Sequence, residues 1–356
     1  MRILVVANLY PSPARPGWGT FVATRVDALR AEGHQVALVS PGSGPAWRRY
    51  LGLLARATGV TALRALAGSR RTDVVEAHIG YPTGLLARPM AALLRAPLVL
   101  FAHGADVLSL PDRSRLDAVL SRRLFRRADL VVSNGPVLSA ALRRRVGEPR
   151  RLVEVSPGID LTLFEGGPPR EPHDRPRLLF AGHLIERKGV DVLLRALVLR
   201  PDRFRTVTVC GDGPQRAGWT ALAAELGLNI EWRGEVTPAE IGRAMCAADV
   251  LAVPTLRDEA LGLVALEGMA AGCVVVASRV DGLAVTVDDG RNGLLAEPGD
   301  VADLSRALDR AIEMLGEPSA LRALRQAARA TAEANSVRES VRSTVAEYAA
   351  LMDGPA

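Results

Sequence analysis

Two acidic side chains, Glu259 and Glu267, frame a short apolar stretch of the sequence. From residue 260 to residue 278, LGLVALEGMAAGCVVVAS after Ala260, Glu267 is the only charged residue. Apolar runs at 249–253 and 273–277 predict buried parallel strands, and the segment between them predicts one helix that ends at Gly272. Because a lone carboxylate on a buried helix is costly without hydrogen-bond donors, Glu267 needs a partner. An arginine from elsewhere in the chain would explain it structurally, and a bound ligand would explain it functionally.

The start of this helix adds a second chemical feature. Gly262 and Leu263 lie between the two glutamates, where free backbone N–H groups and the helix dipole suit a diphosphate. The spacing resembles the Glu-x7-Glu signature of the retaining GT-B glycosyltransferases of family 4. The resemblance implies that Glu259 lies beside the transferred sugar, that Glu267 binds the nucleotide ribose, and that the amides of Gly262 and Leu263 hold the diphosphate. Ala260-Leu261 stands where that family usually has a phenylalanine.

A second cluster of candidate residues follows a predicted strand at 177–181. Of the 45 basic residues 44 are arginine, so Lys188 is the only lysine of the chain. The segment from Gly182 to residue 189 resembles the Gly-Arg-Leu…Lys-Gly loop of the same family, whose cations neutralise the donor phosphates. Lys188 matches that pattern, whereas His183 stands at the position of the usual arginine. Adjacent Arg187 could replace the missing guanidinium, and a solvated loop is the alternative.

Two further predicted strands, 73–77 and 97–101, end in polar residues. Ligands in open parallel sheets bind at the carboxyl ends of strands, which is where these side chains fall. His103 in His-Gly-x-Asp resembles a family motif beside the transferred sugar, although a lone histidine is often structural. We therefore predict His103 as a catalytic residue, together with Glu259, Arg187 and Lys188. The acceptor side is predicted to include Glu76, His78, Tyr81 and Asp106.

Two glycines complete the predicted donor site. Gly19 closes a Gly- and Pro-rich loop ahead of a helix, similar to the family's loop opposite the donor diphosphate, and Gly234 follows a strand near where the family places the nucleobase. No G-x-G-x-x-G fingerprint occurs. No Asp-x-Asp pair occurs either, so we expect no metal and no cofactor besides a UDP-, GDP- or other NDP-sugar donor. Phosphate charge would then be met by Arg187, Lys188 and helix N-termini.

Charge is divided unequally along the chain. Residues 1–170 carry 24 arginines and 12 acidic residues, a net charge of +12, which leaves −6 for residues 171–356. The basic half is the one expected to meet an anionic surface or acceptor. Residues 46–71 combine six arginines with tryptophan, tyrosine and leucines and contain no acid. This stretch predicts either a membrane-surface element or an ordinary outer helix. No nucleic-acid partner is expected.

Length and cysteine usage limit the class of protein. A chain of 356 residues accommodates two domains of about 150 to 200 residues. The three cysteines lie far apart in apolar surroundings, without the paired spacing of a metal or redox site. We therefore expect the protein to reside in the reducing cytosol. The apolar opening at 3–7 is only as long as a strand, so we expect no signal peptide or membrane span. The prediction is a cytoplasmic protein that can bind peripherally to the inner face of the membrane.

The alternation of strands and helices predicts an α/β protein with two Rossmann-like, doubly wound domains. The resemblance implies the GT-B arrangement, in which the domains face each other across a cleft. Residues 1–165 with the C-terminal helix, about 337–356, would bind the acceptor, residues 177–336 would bind the nucleotide sugar, and the breaker-rich segment 166–176 would link them.

The implied activity is metal-independent, retaining transfer of a sugar from a nucleotide sugar to a hydroxyl acceptor in polysaccharide, glycolipid or other glycoconjugate biosynthesis. A nucleotide-sugar epimerase and a catalytically idle sugar-nucleotide-binding protein remain open as alternatives.

Overall fold

The chain divides into two compact units. The computed structural model describes residues 1–12, 17–40, 59, 72–165 and 175–353. Unit 1 contains Met1–Gly158 and Val337–Ala356, and unit 2 contains Ile159–Ser336. The basic stretch 46–71, apart from residue 59, and most of the predicted linker lie outside the described residues.

Unit 1 is built on six strands with helices between them. Its elements, in chain order, are β1 (Arg2–Ala7), α1 (Thr20–Ala31), β2 (Gln35–Val39), β3 (Val74–His78), α2 (Gly80–Leu94), β4 (Leu98–Ala102), α3 (Ala105–Leu108), a 3-10 turn (Leu110–Arg113), α4 (Arg115–Arg127), β5 (Leu130–Ser133), α5 (Pro136–Val146) and β6 (Leu152–Glu154).

The sheet of unit 1 is parallel throughout, in the order β2-β1-β3-β4-β5-β6. Strands β3 and β4 are buried along their whole length, which explains their nearly continuous apolar sequence. Their register pairs His78 with Phe101. Since parallel strands end at the same edge, the residues that follow β3 and β4 come together there.

Unit 2 repeats the alternation with six more strands. Its elements are a 3-10 turn (Leu161–Phe164), β7 (Arg177–Ala181), a 3-10 turn (Glu186–Lys188), α6 (Val190–Val198), β8 (Thr206–Cys210), α7 (Arg216–Glu225), β9 (Glu231–Gly234), α8 (Pro238–Ala247), β10 (Val250–Val253), α9 (Leu263–Ala270), β11 (Val274–Ser278), α10 (Asp281–Thr286), β12 (Leu294–Ala296), α11 (Val301–Gly316) and α12 (Pro318–Ala334).

The sheet of unit 2 is also parallel, in the order β12-β11-β10-β7-β8-β9. Strands β7 and β10 are neighbours at its centre, and the chain winds outward from them in both directions. This is the topological switch point at which open α/β sheets bind ligands. The loops after β7 and β10 therefore meet, although they lie far apart in the sequence.

The predicted strand–helix–strand block is confirmed as β10, α9 and β11. Every residue of both strands is buried, and α9 packs against the sheet through its small residues. A Cβ on Gly268 would lie 2.3 Å from a methyl carbon of Leu251. The small residues of this helix are thus required by its closeness to β10.

The boundary between the units lies earlier than the predicted position at residue 165. Phe164 belongs to the apolar core of unit 2, and the Cys246 thiol donates to its carbonyl oxygen at 3.7 Å. The carbonyl of Leu163 packs so closely on Gly242 that a Cβ there would lie 2.4 Å away. These tertiary contacts draw residues 159–165 into unit 2.

The last described helix is α13 (Val337–Asp353), which belongs to unit 1. Val341 and Tyr348 are buried in the same apolar cluster as Val26 and Leu29 of α1. The last helix therefore contributes directly to the core around β1, β3 and β4.

Candidate functional site

A chain of three polar side chains joins the carboxyl ends of β3 and β4 in unit 1. His78 Nε2 lies 3.2 Å from Glu76 Oε2, and His78 Nδ1 lies 3.1 Å from His103 Nε2. The Phe101 ring stacks on His78 with a centroid distance of 4.5 Å. The structure thus brings together three of the residues predicted from strand ends.

Glu76 is held by residues that the sequence analysis did not select. Arg25 Nε and Nη2 donate to its two oxygens at 3.0 Å each, and the Tyr348 hydroxyl donates to Oε1 at 2.8 Å. Arg25 Nη2 also donates to Thr344 Oγ1 at 2.9 Å. A signal was present in the sequence, because Arg25 shares a helical face with Val22, Val26 and Leu29, where a charge requires a partner.

Asp106 fixes the backbone around His103. Its Oδ1 accepts from the N–H groups of His103 and Gly104 at 3.0 Å, and its Oδ2 accepts from Gly80 N–H at 2.7 Å. Burial raises the pKa of Asp106 to about 6, although these N–H groups favour its ionised form. Asp106 therefore ties the loop after β3 to the loop after β4.

The predicted acceptor contacts are corrected by burial. Glu76 and Asp106 have no exposed surface, His78 is 1% exposed and Tyr81 is 5% exposed. The Tyr81 hydroxyl donates to Asp117, and burial together with that carboxylate raises its pKa to about 12. The polar atoms of these four residues bond to partners within unit 1. His103, which contacts His78, is only half-buried.

Gly19 has a backbone role in unit 1. It precedes α1 in the left-handed conformation, with φ at 71°, and a Cβ there would lie 2.6 Å from the carbonyl carbon of Leu9. Close packing of the loop after β1 on the start of α1 explains the glycine.

In unit 2, the loops after β7 and β10 bring two cations to one carboxylate. Lys188 Nζ donates to Glu259 Oε2 at 2.5 Å. Arg187 Nη1 donates to the Asp258 carbonyl at 3.0 Å and lies 3.9 Å from Glu259 Oε2. All three predicted residues therefore belong to one cluster at the switch point of the sheet.

Backbone contacts lock these two loops together. The Leu256 N–H donates to the Arg187 carbonyl at 2.7 Å. Gly189 adopts φ at 65°, and a Cβ there would lie only 2.1 Å from the Pro254 carbonyl oxygen. The glycine of the Lys-Gly pair is thus required by the loop packing that places Lys188 against Glu259.

The N-terminus of α9 follows directly on this cluster. Gly262 precedes the helix with φ at 84°, and the first intrahelical bonds run from Ala265 and Leu266 to its carbonyl oxygen. The N–H groups of Leu263 and Val264 therefore precede the hydrogen-bonded turn and carry the positive end of the helix dipole.

Glu267 lies about one helical turn after Leu263, the first residue of α9. Its side chain is half-buried, and burial raises its pKa to about 7. Within the described residues, no donor lies at hydrogen-bonding distance from its carboxylate. An arginine partner, the structural explanation of this residue, is therefore not found in that part of the chain.

His183 is exposed and turned onto the loop after β8. Its Nδ1 lies 2.6 Å from the carbonyl oxygen of Asp212. Because a carbonyl oxygen only accepts, Nδ1 carries the proton, and Nε2 is the nitrogen available for other contacts. A neutral His183 would then present an acceptor, which is unfavourable beside a phosphate.

The two remaining predicted glycines line the adjacent loops. Gly182 N–H donates to the Cys210 carbonyl at 3.0 Å, and Gly234 accepts from Gly211 N–H at 2.7 Å. A Cβ on Gly211 would lie 1.9 Å from the Gly182 carbonyl oxygen. The loops after β7, β8 and β9 are thus held together through their backbones.

Comparison with known proteins places the chain in a family. The model for "Glycosyltransferase Family 4" matches residues 17–163, and the model for "Glycosyl transferases group 1" matches residues 175–314. A 2-deoxystreptamine glucosyltransferase from Streptomyces kanamyceticus is 31% identical over 283 residues, which cover 72% of this chain and 72% of that protein. The chain belongs to the group 1, family 4 glycosyltransferases.

A second relative is matched over a smaller share of its length. The D-inositol 3-phosphate glycosyltransferase of Corynebacterium diphtheriae is 32% identical over 272 residues, 68% of this chain and 63% of that protein. This chain therefore matches less than two thirds of that relative's length.

Solved structures confirm the predicted GT-B fold. The structure of Anabaena HepE in complex with UDP-glucose aligns with a TM-score of 0.74 and 19% sequence identity, over 98% of this chain and 100% of that one. At this identity the likeness concerns the fold, and both six-stranded sheets are part of it.

The described residues of this family 4 chain contain no helix that is long and apolar enough to cross a membrane. In the same residues, no group of three or more histidine, cysteine or acidic side chains is arranged to hold a metal ion. Metal independence stays a prediction.

Proposed function

We propose that the protein is a retaining glycosyltransferase that moves a sugar from a nucleoside-diphosphate sugar to a hydroxyl acceptor. The observation that carries the proposal is the contact of Lys188 and Arg187 with the loop of Glu259, immediately before the N-terminus of α9. Two cations, a carboxylate and free backbone N–H groups are what a diphosphate joined to a sugar requires.

The cations and the helix N-terminus would stabilise the leaving diphosphate. Lys188, Arg187 and the backbone N–H groups at the start of α9 would provide positive charge and donors without a metal ion. Since the diphosphate gains charge as the bond to the sugar breaks, these groups act most strongly in the transition state. Glu259 would lie beside the transferred sugar, where its position is set by Lys188.

Glu267 would bind the ribose of the donor. An ionised carboxylate accepts hydrogen bonds from two neighbouring hydroxyl groups, and the described protein supplies it with no donor. A ligand with paired hydroxyls would therefore complete the hydrogen bonding of a half-buried carboxylate.

His103 would contact the transferred sugar, as the resemblance of its His-Gly-x-Asp segment to the family motif implies. Retention of configuration follows if the acceptor attacks the face from which the diphosphate departs. The bound UDP-glucose of Anabaena HepE and the glucosyltransferase name of the Streptomyces relative support a nucleotide-sugar donor. We place the reaction in polysaccharide, glycolipid or other glycoconjugate biosynthesis.

Incubation with UDP-, GDP- and ADP-sugars, with and without hydroxyl acceptors, tests this function. We expect a glycosylated acceptor whose anomeric configuration, measured by NMR, equals that of the donor, with equal rates in EDTA. An inverted product would contradict retention, and a strict need for added Mn²⁺ or Mg²⁺ would contradict metal independence. A new sugar nucleotide without acceptor would indicate an epimerase, and binding without turnover would indicate an idle protein.

Lys188→Met, which keeps the aliphatic stem but removes the charge, should lose activity in the same assay.

We also propose that the enzyme works at an anionic membrane surface on the cytoplasmic side. Within the described residues, helix α4 supports this with exposed arginines and with Leu116 and Val119, which are 65% and 46% exposed. The arginines concerned are Arg115, Arg122, Arg123, Arg126 and Arg127. Each basic residue near an anionic membrane contributes about 1 kcal/mol at low salt.

Co-sedimentation with anionic and with neutral vesicles tests the membrane proposal. Arg122→Glu with Arg126→Glu should reduce pelleting with anionic vesicles at low salt. Arg195→Glu with Arg243→Glu, an equal charge change on exposed positions of unit 2, should not. Equal pelleting of wild type with both vesicle types, or none at low salt, would favour a soluble acceptor.

A further inference from the structure

A buried charge, Glu76 on β3, lies in the middle of the sheet of unit 1. Glu76 has no exposed surface and makes a two-bond ion pair with Arg25, with both distances at 3.0 Å. Burial alone would raise the pKa of Glu76, but the Arg25 guanidinium and the hydrogen bonds of His78 and Arg25 hold it well below its usual range. Glu76 is therefore ionised, and both of its oxygens can only accept.

This fixed acceptor determines the proton positions along the histidine chain. His78 Nε2, 3.2 Å from Glu76 Oε2, must carry a proton in order to donate to it. Burial lowers the pKa of His78, so the ring is neutral and its Nδ1 keeps a lone pair. His103 Nε2, 3.1 Å from that Nδ1, must then be the donor.

His103 is itself neutral and held in orientation. Burial, with the nearby His78 and Arg25, lowers its pKa well below the usual value. Its ring packs at a tilt on Phe21, with centroids 4.5 Å apart, and its backbone N–H is bound by Asp106. A neutral imidazole with a proton on Nε2 has its lone pair on Nδ1.

Arg25 contacts both Glu76 and the Phe101 ring that stacks on His78. Its Nη1 has no acceptor among the described side chains, and the guanidinium carbon lies 4.4 Å from the centroid of the Phe101 ring that stacks on His78. A buried cation over an aromatic face is stabilised by the ring quadrupole. The ion pair and the histidine chain are thus packed around one ring.

We propose that Glu76 and His78 are positioning residues that hold His103 with its proton on Nε2, so that Nδ1 accepts a hydrogen bond from a hydroxyl group of the transferred sugar. The proposal rests on the proposed function, in which His103 contacts that sugar. It replaces the predicted contact of Glu76 and His78 with the acceptor by an indirect action through His103.

The tautomer is measured directly on the free enzyme. Two-dimensional ¹H–¹⁵N spectra of ¹⁵N-histidine-labelled protein distinguish a protonated from an unprotonated ring nitrogen, and His103→Gln assigns the His103 signals. We expect the proton on Nε2 at pH 7. A proton on Nδ1, an imidazolium His103 or a doubly protonated His78 would overturn the proposal.

Two variants each disrupt one hydrogen bond of the Glu76–His78–His103 series. His78→Phe keeps a ring that stacks on Phe101 but removes the acceptor of the His103 proton. Glu76→Gln replaces a partner that can only accept by an amide that can either accept from His78 or donate to it. Both should give a mixture of His103 tautomers. Ser139→Ala breaks a buried hydrogen bond of unit 1 to Ser133, 2.6 Å long, and serves as a control for lost stability alone.

The kcat values of the variants then show whether the His103 tautomer affects the reaction. In His78→Phe we expect kcat to fall by about 10- to 100-fold, the scale for residues that orient a functional histidine. Affinity for the free nucleoside diphosphate, which lacks the sugar, should stay within about twofold, and Ser139→Ala should match wild type in kcat. Mixed tautomers with unchanged kcat would refute the positioning role. Absence of any transfer by the wild type would refute the proposed function, while the spectrum would still decide the tautomer.

Discussion

The two units place their functional side chains in opposite physical settings. In unit 1, Glu76, His78 and Asp106 are buried, and their polar atoms are bonded to the protein. In unit 2, Lys188 and Glu259 keep partly exposed side chains on loops, and the His183 ring is exposed. Unit 1 therefore holds one half-buried histidine, His103, in a fixed orientation, whereas the charged side chains of unit 2 keep exposed surface that a ligand can reach.

Because of this difference, we expect substitutions in unit 1 to lower mainly folding stability and substitutions in unit 2 to lower mainly catalysis or binding. Removing a buried group in unit 1 leaves unsatisfied partners in the core, so folding stability should suffer. Removing a loop charge in unit 2 leaves a partner that water can solvate, so catalysis or binding should suffer instead.

The largest effect is expected from Arg187 in unit 2. If Arg187 replaces the guanidinium missing at position 183, Arg187→Ala should lower kcat by about 10²-fold or more, because a transition-state charge loses a stabilising group. His183→Ala should do less, and His183→Arg should match or exceed wild type. Steady-state kinetics at pH 6 and pH 8 measure the three variants.

Arg257→Ala is the control for this series, because it removes another exposed guanidinium near the same loop and should stay near wild type. A larger defect for His183→Ala than for Arg187→Ala would make the histidine the partner of the phosphate.

Removal of the Glu267 carboxylate should weaken binding of the nucleotide. Glu267→Ala loses a charge-assisted hydrogen bond to the ribose, which costs roughly 1.5–3 kcal/mol of binding free energy. Calorimetry with the free nucleoside diphosphate measures it, with Glu313→Ala on the exposed side of α11 as the control. Unchanged affinity together with lost thermal stability would return Glu267 to a structural role.

A change at Asp106 should affect folding in the first place. Asp106→Asn replaces an acceptor oxygen by a donor that faces a backbone N–H, so one buried donor is left unsatisfied. We expect a loss of about 1–3 kcal/mol in the free energy of unfolding, measured with urea. Asp112→Asn, at an exposed ion pair with Arg145, should leave stability close to wild type. Equal stability of both variants would contradict the contrast between the units.

The smallest effect concerns pH. Burial raises the pKa of Glu267 from its usual 4.5 to about 7 in the free protein, so ribose binding to the ionised carboxylate should displace a proton below that pH. Nucleoside affinity should therefore rise with pH, by about tenfold between pH 6 and pH 8, and level off above the pKa. The free energy of unfolding should change in the opposite direction. The folded state keeps the Glu267 proton up to a pKa of about 7, whereas the unfolded state releases it near 4.5, so the contribution of this group to stability falls as pH rises from 4.5 to 7. Glu267→Gln should remove the pH dependence of affinity, and a wild type with the same flat profile would contradict the ribose assignment.

The sequence by itself determined the class of fold and the central block of unit 2. Buried runs such as 250–253 and 274–278, with a small-residue helix between them, follow from local periodicity and breakers, which act over a few residues. The positions of Lys188, Glu259 and His103 at strand ends followed from the same alternation, because the ends of parallel strands share one edge.

The tertiary structure decided which of these residues are exposed and which are paired. Arg25 meets Glu76 across 51 positions and Tyr348 meets it across 272, so no local pattern distinguishes this buried carboxylate from one that faces a ligand. The same holds for the boundary at residue 158, which depends on the packing of Phe164 on unit 2. Burial and ion pairing depend on contacts between distant segments, and only the folded chain brings those segments together.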